Sequence, residues 1–360
     1  MSINLTDTEW HEFFIEDIAE IKSGVRLTKA DMTAGAKPFI GSTDSNNGIT
    51  NFVSDSNRSE DFNVLGVNYN GSVVENFYHP YTAIFSDDVK RLSLKNTTGN
   101  KYLYLSLKNS ILKQKNKYQY GYKFNEKRLS RQKVMLPSMN ESEPNWQLME
   151  SYTKALMEKK KANYIDFCHK ELAKLKPKKI EQIEDKEWHE FFIGGKDGLF
   201  KISSTSSGID KNKLNTGGNN EEENNVPYIT RTDERNGINL FVPNSQEDKY
   251  KINDGGVITI GLDTQTIFYQ AHAFFTGQNI QVFHHNELDK WVALFLIPLL
   301  KVQMDKFNWG GNGATLGRLN RTKIMLPIQD EGSPDFEYMR QYMMNLEYQK
   351  RNQYLNYIQS

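Results

Sequence analysis

Residues 113–133 combine side chains that suit binding to a polyanion. Eight Lys and Arg residues stand there against one acid, Glu126, and Tyr118, Tyr120 and Tyr122 are interleaved with them. Lys and Arg neutralise phosphates, while Arg, Asn and Gln can make paired hydrogen bonds to base edges. A solvated charged face would have the same composition. The segment is therefore a candidate nucleic-acid contact.

A second basic cluster stands at the corresponding place in the other half of the chain. It surrounds Trp309 and consists of Lys301, Lys306, Arg318, Arg321 and Lys323. Because the cluster recurs at the same place, nucleic-acid binding is favoured over a generic charged face.

Motifs for catalysis or metal binding are incomplete. His11-Glu12 begins like the zinc-protease helix motif, but position 15, where the second His is required, is Ile. A second copy of the phrase has Ile at the same place. The alternative is a structural phrase in which Trp10 and Phe14 enter the core.

The glycine-rich run 307–313 looks at first like a dinucleotide or methyl-donor loop. No strand is predicted before it, the third glycine comes one place late at Gly317, and the corresponding segment 118–124 keeps only Gly121. A variable surface loop is the better interpretation. The sequence also has no Walker lysine motif, no Pro-Pro dipeptide and no metal-ligand spacing. We therefore expect neither a catalytic site nor a metal site in this chain.

The two basic clusters belong to a tandem repeat. The phrase Glu-Trp-His-Glu-Phe-Phe at 9–14 returns unchanged at 187–192. Matching stretches then follow in the same order, 38–53 with 227–242, 133–137 with 323–327, and 144–149 with 334–339. A period near 180 residues is far longer than a solenoid repeat, so each copy should be a domain.

Local patterns predict an α+β fold, with two tandem mixed domains that are each followed by a long helix. Short apolar stretches with Asn-, Gly-, Ser- and Asp-rich connections indicate strands at 38–40, 51–53, 63–67, 72–74 and 83–85. Helical spacing occurs at 14–21, 102–112 and 288–301, and in two long stretches that begin at Pro144 and Pro334. We expect these two long helices to pair with each other.

The predicted boundaries follow from these elements. The first mixed domain covers 1–143, the first long helix 144–176, the linker 177–186, the second mixed domain 187–333 and the second long helix 334–360.

Charge and composition narrow the class of protein. Formal net charge is zero, yet residues 1–180 hold 27 Lys and Arg against 21 Asp and Glu, a formal +6, and the remainder carries −6. Neutrality argues against a general nucleic-acid coat but allows local basic patches. Cys168 is the only cysteine, and Met1 to Leu5 lacks the regions of a signal peptide, so we expect a cytoplasmic protein. The most apolar run, Val292 to Leu300, is short and contains Pro298, so no segment is predicted to span a membrane.

The order of these motifs resembles the DNA-specificity subunit of a type I, or BcgI-like type IIB, restriction-modification system. The resemblance covers nearly the whole chain. It rests on Trp10-x-x-Phe13, then 38–43 with Asn47-Gly48-Ile49, then 134–137 and a long helix, followed by the same series again. The short chain favours the compact type IIB-like form.

The resemblance implies a function and partners. In that family each half is a target-recognition domain that reads one half of a split DNA site, and the long helices pair as an antiparallel coiled-coil spacer that also holds the modification subunits. The implied partners are double-stranded DNA and methyltransferase subunits, alone or fused to a nuclease. S-adenosylmethionine and Mg would belong to those subunits, with no cofactor in this chain.

Short polar side chains follow the Pro-aromatic-Ile strand of each copy, joined in the second copy by Arg231, and they suit contact with base edges. The candidate base-reading residues are Ser42, Thr43, Asp44, Asn46, Asn47, Tyr120, Thr230, Arg231, Thr232, Asp233, Asn236, Asn308, Trp309 and Asn312. The candidate phosphate contacts are Lys117, Lys123, Arg128, Arg131, Lys306, Arg318 and Arg321.

Two other functions remain open from the sequence. A two-domain scaffold could bind protein or glycan, without DNA, through its Asn- and Tyr-rich loops. A self-contained methyltransferase would require S-adenosylmethionine binding by the chain alone. Salt dependence separates DNA binding from scaffold binding, because only phosphate contacts weaken steeply as salt rises.

Overall fold

The computed structural model describes residues 5, 8–118, 121–204, 207–217, 225–307 and 313–359. The chain divides into two compact units, Met1–Tyr164 and Ile165–Ser360. Each unit mixes helices with several short sheets, as the α+β prediction requires.

The described residues of the first unit form ten strands and the greater part of a long helix. Its strands are β1 (Trp10–Phe14), β2 (Ala19–Ser23), β3 (Ala34–Ile40), β4 (Ile49–Val53), β5 (Val64–Asn68), β6 (Asn76–His79), β7 (Ile84–Phe85), β8 (Val89–Leu94), β9 (Lys133–Asn140) and β10 (Glu143–Pro144). Its helices are α1 (Ile15–Ile18), α2 (Lys101–Leu112), α3 (Glu126–Ser130) and α4 (Trp146–Leu172), which continues into the second unit.

Three sheets organise the first unit. They have the orders β1-β9-β10, β2-β8-β5-β6 and β4-β3-β7, and among the described strands of this unit only the β3–β7 pair is parallel. Helix α2 places Leu103, Leu107 and Ile111 in the main core, at the three- and four-residue spacing of one helix face. The side chain of Asn100 caps its first turn by accepting hydrogen bonds from two backbone amides.

The Trp-His-Glu-Phe-Phe phrase forms a strand, and this corrects the prediction that Trp10 and Phe14 enter the core. Trp10 and Phe14 are 41% and 37% exposed, whereas Phe13 is 5% exposed and Ile15 is fully buried. Strand β1 pairs with β9 throughout its length, so successive side chains point to opposite faces. A period of two buries Phe13 and leaves its aromatic neighbours outside.

The second unit repeats this arrangement. Its strands are β11 (Trp188–Phe192), β12 (Lys201–Ser204), β13 (Asn225–Ile229), β14 (Ile238–Pro243), β15 (Val257–Gly261), β16 (Ile267–Gln270), β17 (Phe275–Thr276), β18 (Ile280–His284) and β19 (Lys323–Pro327). Its helices are α5 (Lys290–Met304), α6 (Leu316–Leu319) and α7 (Phe336–Gln359).

The strand pairing of the second unit matches that of the first. The sheets have the orders β11-β19, β12-β18-β15-β16 and β14-β13-β17, and β13–β17 is again the parallel pair. The apolar run predicted as a buried helix lies within α5, which contains Pro298 and contributes Val292, Leu296 and Leu300 to the core.

The prediction of a strand at 72–74 is wrong. Ser72 to Val74 form a turn between β5 and β6, because Gly71 and Val74 both have positive φ, at 56° and 72°. Strands β1, β2, β6, β8, β9 and β10 were not predicted. The helical spacing at 14–21 was correct only for α1, because residues 19–21 belong to β2.

The linker after α4 runs antiparallel to α7 within the second unit. The Arg351 guanidinium lies 5.2 Å from the ring of Phe167, and its Nη1 lies 3.7 Å from the Cys168 sulfur, near the end of α4. Further along the linker, the Asn345 amide donates to the Lys178 carbonyl and Lys186 pairs with Asp335. From Phe167 to Lys186 the partners thus fall from Arg351 to Asp335, although Lys176 and Lys178 bond to Gln341 and Asn345 in the opposite order. Within the described part of the chain, no helix combines the length and apolar character needed to cross a membrane.

Candidate nucleic-acid interface

The loop after β3 in the first unit has an unusual backbone. Asn46, Asn47 and Gly48 have φ of 50°, 54° and 78°, three consecutive left-handed residues. Asn and Gly adopt this region most readily. The corresponding loop after β13 has φ of 49°, 59° and 78° at its three last residues, Arg235, Asn236 and Gly237. The two units therefore present the preceding residues on the same type of turn.

Asn47 and Asn236, both candidate base readers, hold these turns in place. The Asn47 Nδ2 donates to the Tyr78 carbonyl at 3.4 Å and to the Tyr81 hydroxyl at 2.9 Å. The Asn236 Nδ2 donates to the carbonyl of Tyr269 at 2.9 Å. The amide donors of both side chains are therefore committed within their own unit.

The other candidates in the two loops have polar groups at or near the surface. Thr43 and Ser45 bond to each other through their hydroxyls at 3.0 Å, and the carbonyl of Thr43 accepts from Asn68 at 2.9 Å. The exposed candidates are Asp44, Asn46 and Asp233, and the half-buried ones are Ser42, Thr43, Thr230, Arg231 and Thr232.

Arg231 is fixed by a carboxylate that the sequence analysis did not single out. Its Nη1 forms a short hydrogen-bonded ion pair with Asp263, in the turn after β15. Asn279, just before β18, donates from Nδ2 to the same carboxylate oxygen at 3.4 Å. The stem of Arg231 passes over Gly261, where an added Cβ would lie 3.4 Å from the Arg231 Cγ.

The first unit has an Asp and an Asn at the two places of Asp263 and Asn279, but in the opposite order. Asn70 follows β5 as Asp263 follows β15, and Asp88 precedes β8 as Asn279 precedes β18. The Asn70 Nδ2 donates to the Asp88 carboxylate at 3.1 Å. Ser42 occupies the place of Arg231. This exchange between aligned positions of the repeat is the sequence signal that could have revealed the pair.

In the second unit the base-reading candidate and the basic segment are neighbours. The amide of Ala314 donates to the carbonyl of Leu262 at 3.1 Å, directly beside Asp263. Arg318 in turn donates from Nη1 to the carbonyl of Gly313 at 2.9 Å. A short chain of contacts thus connects the Arg231 loop to the basic segment.

Arg128 of the first unit and Arg318 of the second have the same anchor. Each donates from Nη1 to the carbonyl five residues earlier, which for Arg128 is Lys123 at 2.7 Å. The Arg128 guanidinium also lies 3.6 Å above the ring of Tyr122. Arg128 and Arg131 line one open cleft of about 460 Å³ together with tyrosine rings. Such a cleft, with cations over aromatic walls, suits a phosphodiester.

The remaining phosphate candidates lie nearby in sequence. Lys117 ends a 3-10 turn and is exposed. The Lys306 ammonium donates to the Gln303 side chain at 2.5 Å, and Arg321 donates from Nε to the Gly317 carbonyl at 3.1 Å. Four predicted base readers, Tyr120, Asn308, Trp309 and Asn312, lie outside the described residues.

Groups of acidic, His or Cys residues that could hold a metal ion are not found among the residues that the structure describes. The most perturbed histidine, His79, is fully buried in β6, and burial lowers its pKa to about 4, with a smaller effect of Lys108. It packs edge-on against Phe85 in the core. A neutral His in that place has a structural role.

Comparisons with known proteins agree with the geometry. Residues 7–165 and 167–356 match the family described as type I restriction modification DNA specificity domain. The specificity subunit S.BcgI of a type II restriction enzyme from Heyndrickxia coagulans is 60% identical over 149 residues, which are 41% of this chain and 44% of that protein. The chain is therefore matched to less than half the length of this curated relative.

The S subunit of a type I restriction-modification system from M. genitalium shares the fold, with a TM-score of 0.54 and 15% identity over 99% of this chain and 94% of that one. The resemblance seen in the sequence is confirmed, and the chain belongs to the type I restriction modification DNA specificity domain family, with two copies of that domain in tandem.

Proposed function

We propose that this chain is the non-catalytic DNA-specificity subunit of a restriction-modification complex and that its two domains read the two halves of a split target. The observation that carries the proposal is the cluster in the second unit. There Arg231, which can contact a base, is connected through Leu262 and Ala314 to the basic segment that holds Arg318. Specific DNA binding needs both base contacts and phosphate contacts in one surface.

The two kinds of residue have different roles in this proposal. The loops at 42–47 and 230–236 read base edges, while the arginines anchored to backbone carbonyls, Arg128 and Arg318, hold phosphates. An anchored guanidinium loses less conformational entropy when it binds, so it positions the duplex more effectively than a free side chain. Asn47 and Asn236 contribute by shaping the loops.

The domain boundaries of this proposal are those predicted from the sequence, with recognition domains at 1–143 and 187–333 and long helices at 144–176 and 334–360. The helices act as the spacer between the half-sites and as the attachment for the modification subunits. These methyltransferase chains, alone or fused to a nuclease, would supply S-adenosylmethionine and Mg, and the complex would act in the cytoplasm.

Binding to DNA can be tested with the full chain assembled with its modification partner. Duplexes retained from a random-sequence library are sequenced, and the affinity for the enriched duplex is then measured at salt concentrations from 50 to 200 mM. Each phosphate contact contributes about −0.9 to the slope of log affinity against log salt, so a steep fall is expected. Lys249→Ala, which removes an exposed Lys paired with Glu247 outside both basic segments, is the matched control.

Two results would contradict the proposal. One is the enrichment of no sequence from the library. The other is an affinity that stays constant as salt rises, which would favour the scaffold that binds protein or glycan.

A further inference from the structure

The ion pair between Arg231 and Asp263 calls for a functional explanation. The Arg231 side chain is 40% exposed and that of Asp263 is 20% exposed. Ion pairs at such sites contribute little to stability because water screens them. An acidic group beside a basic segment also opposes phosphate binding. Stability and general DNA affinity therefore both fail to explain why a carboxylate stands there.

The geometry of the pair restricts the guanidinium. Asp263 holds Nη1, Asn279 bonds to the same carboxylate oxygen, and the turn after β15 keeps Asp263 in place. The turn is itself braced by Gln265, whose Nε2 donates to the carbonyls of Leu262 and Asp263 at 3.3 and 2.9 Å. Nε and Nη2 of Arg231 have no hydrogen-bond partner among the residues that the structure describes. One edge of the planar fork is thus fixed to protein while the other stays available.

We propose, on the basis of the proposed function, that Asp263 is a positioning residue that holds Arg231 to read a guanine in the half-site of the second domain. Guanine presents two acceptors, O6 and N7, at a separation that matches two parallel donors of a guanidinium. A fork held before binding loses less side-chain entropy when it meets the base. The ion pair also keeps the guanidinium from turning towards a phosphate. A phosphate contact would be the same on every DNA sequence and would give no base preference.

The first domain provides the internal comparison. Ser42 stands at the place of Arg231, and the acid of the exchanged pair, Asp88, bonds to Asn70 instead of an arginine. Because the side chain of Ser42 has no guanidinium, this position should set no guanine requirement in the first half-site. The two half-sites therefore differ at equivalent base pairs.

Three variants of the full chain, each assembled with its modification partner, test the proposal on a library of split duplexes. Asp263→Asn keeps the size of the side chain but removes the charge that holds Arg231. We expect it to reduce the preference for guanine at one base pair of the second half-site by about tenfold, with the first half-site unchanged. Arg231→Ala removes the guanidinium and its donors, and it should remove the same preference.

The double variant Arg231→Ala with Asp263→Asn separates positioning from a structural effect. If Asp263 acts only through Arg231, adding Asp263→Asn to Arg231→Ala changes the base preference no further. A general loosening of the domain would add a second loss over all base pairs, and thermal unfolding of each variant would reveal it.

The outcomes also separate this inference from the proposed function. If the wild-type complex selects a split target and Asp263→Asn leaves every base preference unchanged, the positioning role is refuted while the proposed function stands. If Arg231→Ala keeps its guanine preference, the reading role of Arg231 is refuted. If the wild-type complex selects no target at all, the proposed function itself fails.

Discussion

The stability of the first domain should fall in mild acid because of His79. This side chain is fully buried, its Nε2 has no hydrogen-bond partner among the described residues, and its Nδ1 lies 3.3 Å from the Tyr81 hydroxyl. Burial lowers its pKa from 6.5 to about 4, and the ammonium of Lys108 adds a smaller effect in the same direction. The unfolded chain therefore binds a proton at a higher pH than the folded domain does.

The direction and size of the change in stability follow from this difference in pKa between the folded and unfolded states. Since the folded pKa is depressed, the contribution of neutral His79 is fully present above pH 6.5 and is lost as the pH falls from 6.5 towards 4. One pKa unit corresponds to about 1.4 kcal/mol, so lowering the pH from 7 to 5 should cost the first domain about 2 kcal/mol.

The repeat suggests the matched control. The second domain has Gln270 at the place of His79, and its Nε2 bonds to the Thr259 hydroxyl at 3.1 Å. The first domain has Gly66 where the second has Thr259, and a Cβ added at Gly66 would lie 2.9 Å from the His79 Nε2. The double variant Gly66→Thr with His79→Gln therefore copies the pair of the second domain. The added Cβ would also lie 3.3 Å from the Phe85 ring, which must shift by a few tenths of an ångström because the second domain has Thr276 at that place.

Unfolding in urea is measured at pH 7, 6 and 5. The readout is hydrogen exchange of the peptide that contains β6, so that only the unfolding of the first domain is observed. Carboxylates titrate in both proteins and cancel in the comparison. The wild-type chain should lose about 2 kcal/mol more than the double variant between pH 7 and 5. Equal losses in the two proteins would refute the assignment of the pH dependence to His79.

Three further predictions concern DNA. Arg231→Ala should weaken specific binding by about 1 to 3 kcal/mol and relax one base pair of the second half-site only; equal losses on specific and random duplexes would make it a phosphate contact. Arg128→Ala and Arg318→Ala should each reduce the magnitude of the salt slope by about one without altering base preference, and an unchanged slope for both would remove these arginines from the interface. Inserting four residues near Lys159 to Lys161 in α4 adds about one helical turn, so the gap between half-sites should lengthen by about two base pairs. An insertion variant that stays folded and prefers the original gap would show that α4 is not the spacer.

Local sequence patterns predicted the features that depend on neighbouring residues. The apolar spacing of α2 and α5 identified both core helices, because a helix is a local structure. Because the sequence repeats, each element predicted in one half was also expected in the other half. The resemblance to the family rested on the order of these same motifs.

Features that depend on strand pairing were missed. Asp263 meets Arg231 and Asn279 only because the sheets bring three separate turns to one edge, and a single sequence does not specify that register. Trp10 was assigned to the core from its residue type, although strand alternation leaves it exposed. Asn47 was assigned to base reading because it is polar and lies in a loop, yet its amide is used to hold that loop.

Methylation sequencing of DNA from a host that carries this chain with its modification subunits tests the central claim most directly. Two recognition domains joined by helices of fixed length predict one methylated motif in two parts, separated by a gap of constant length and unspecified sequence. Arg231→Ala in the same host should change the second part of that motif and leave the first part and the gap unchanged. A single continuous motif, or methylation that does not change when the gene for this chain is deleted, would contradict the account.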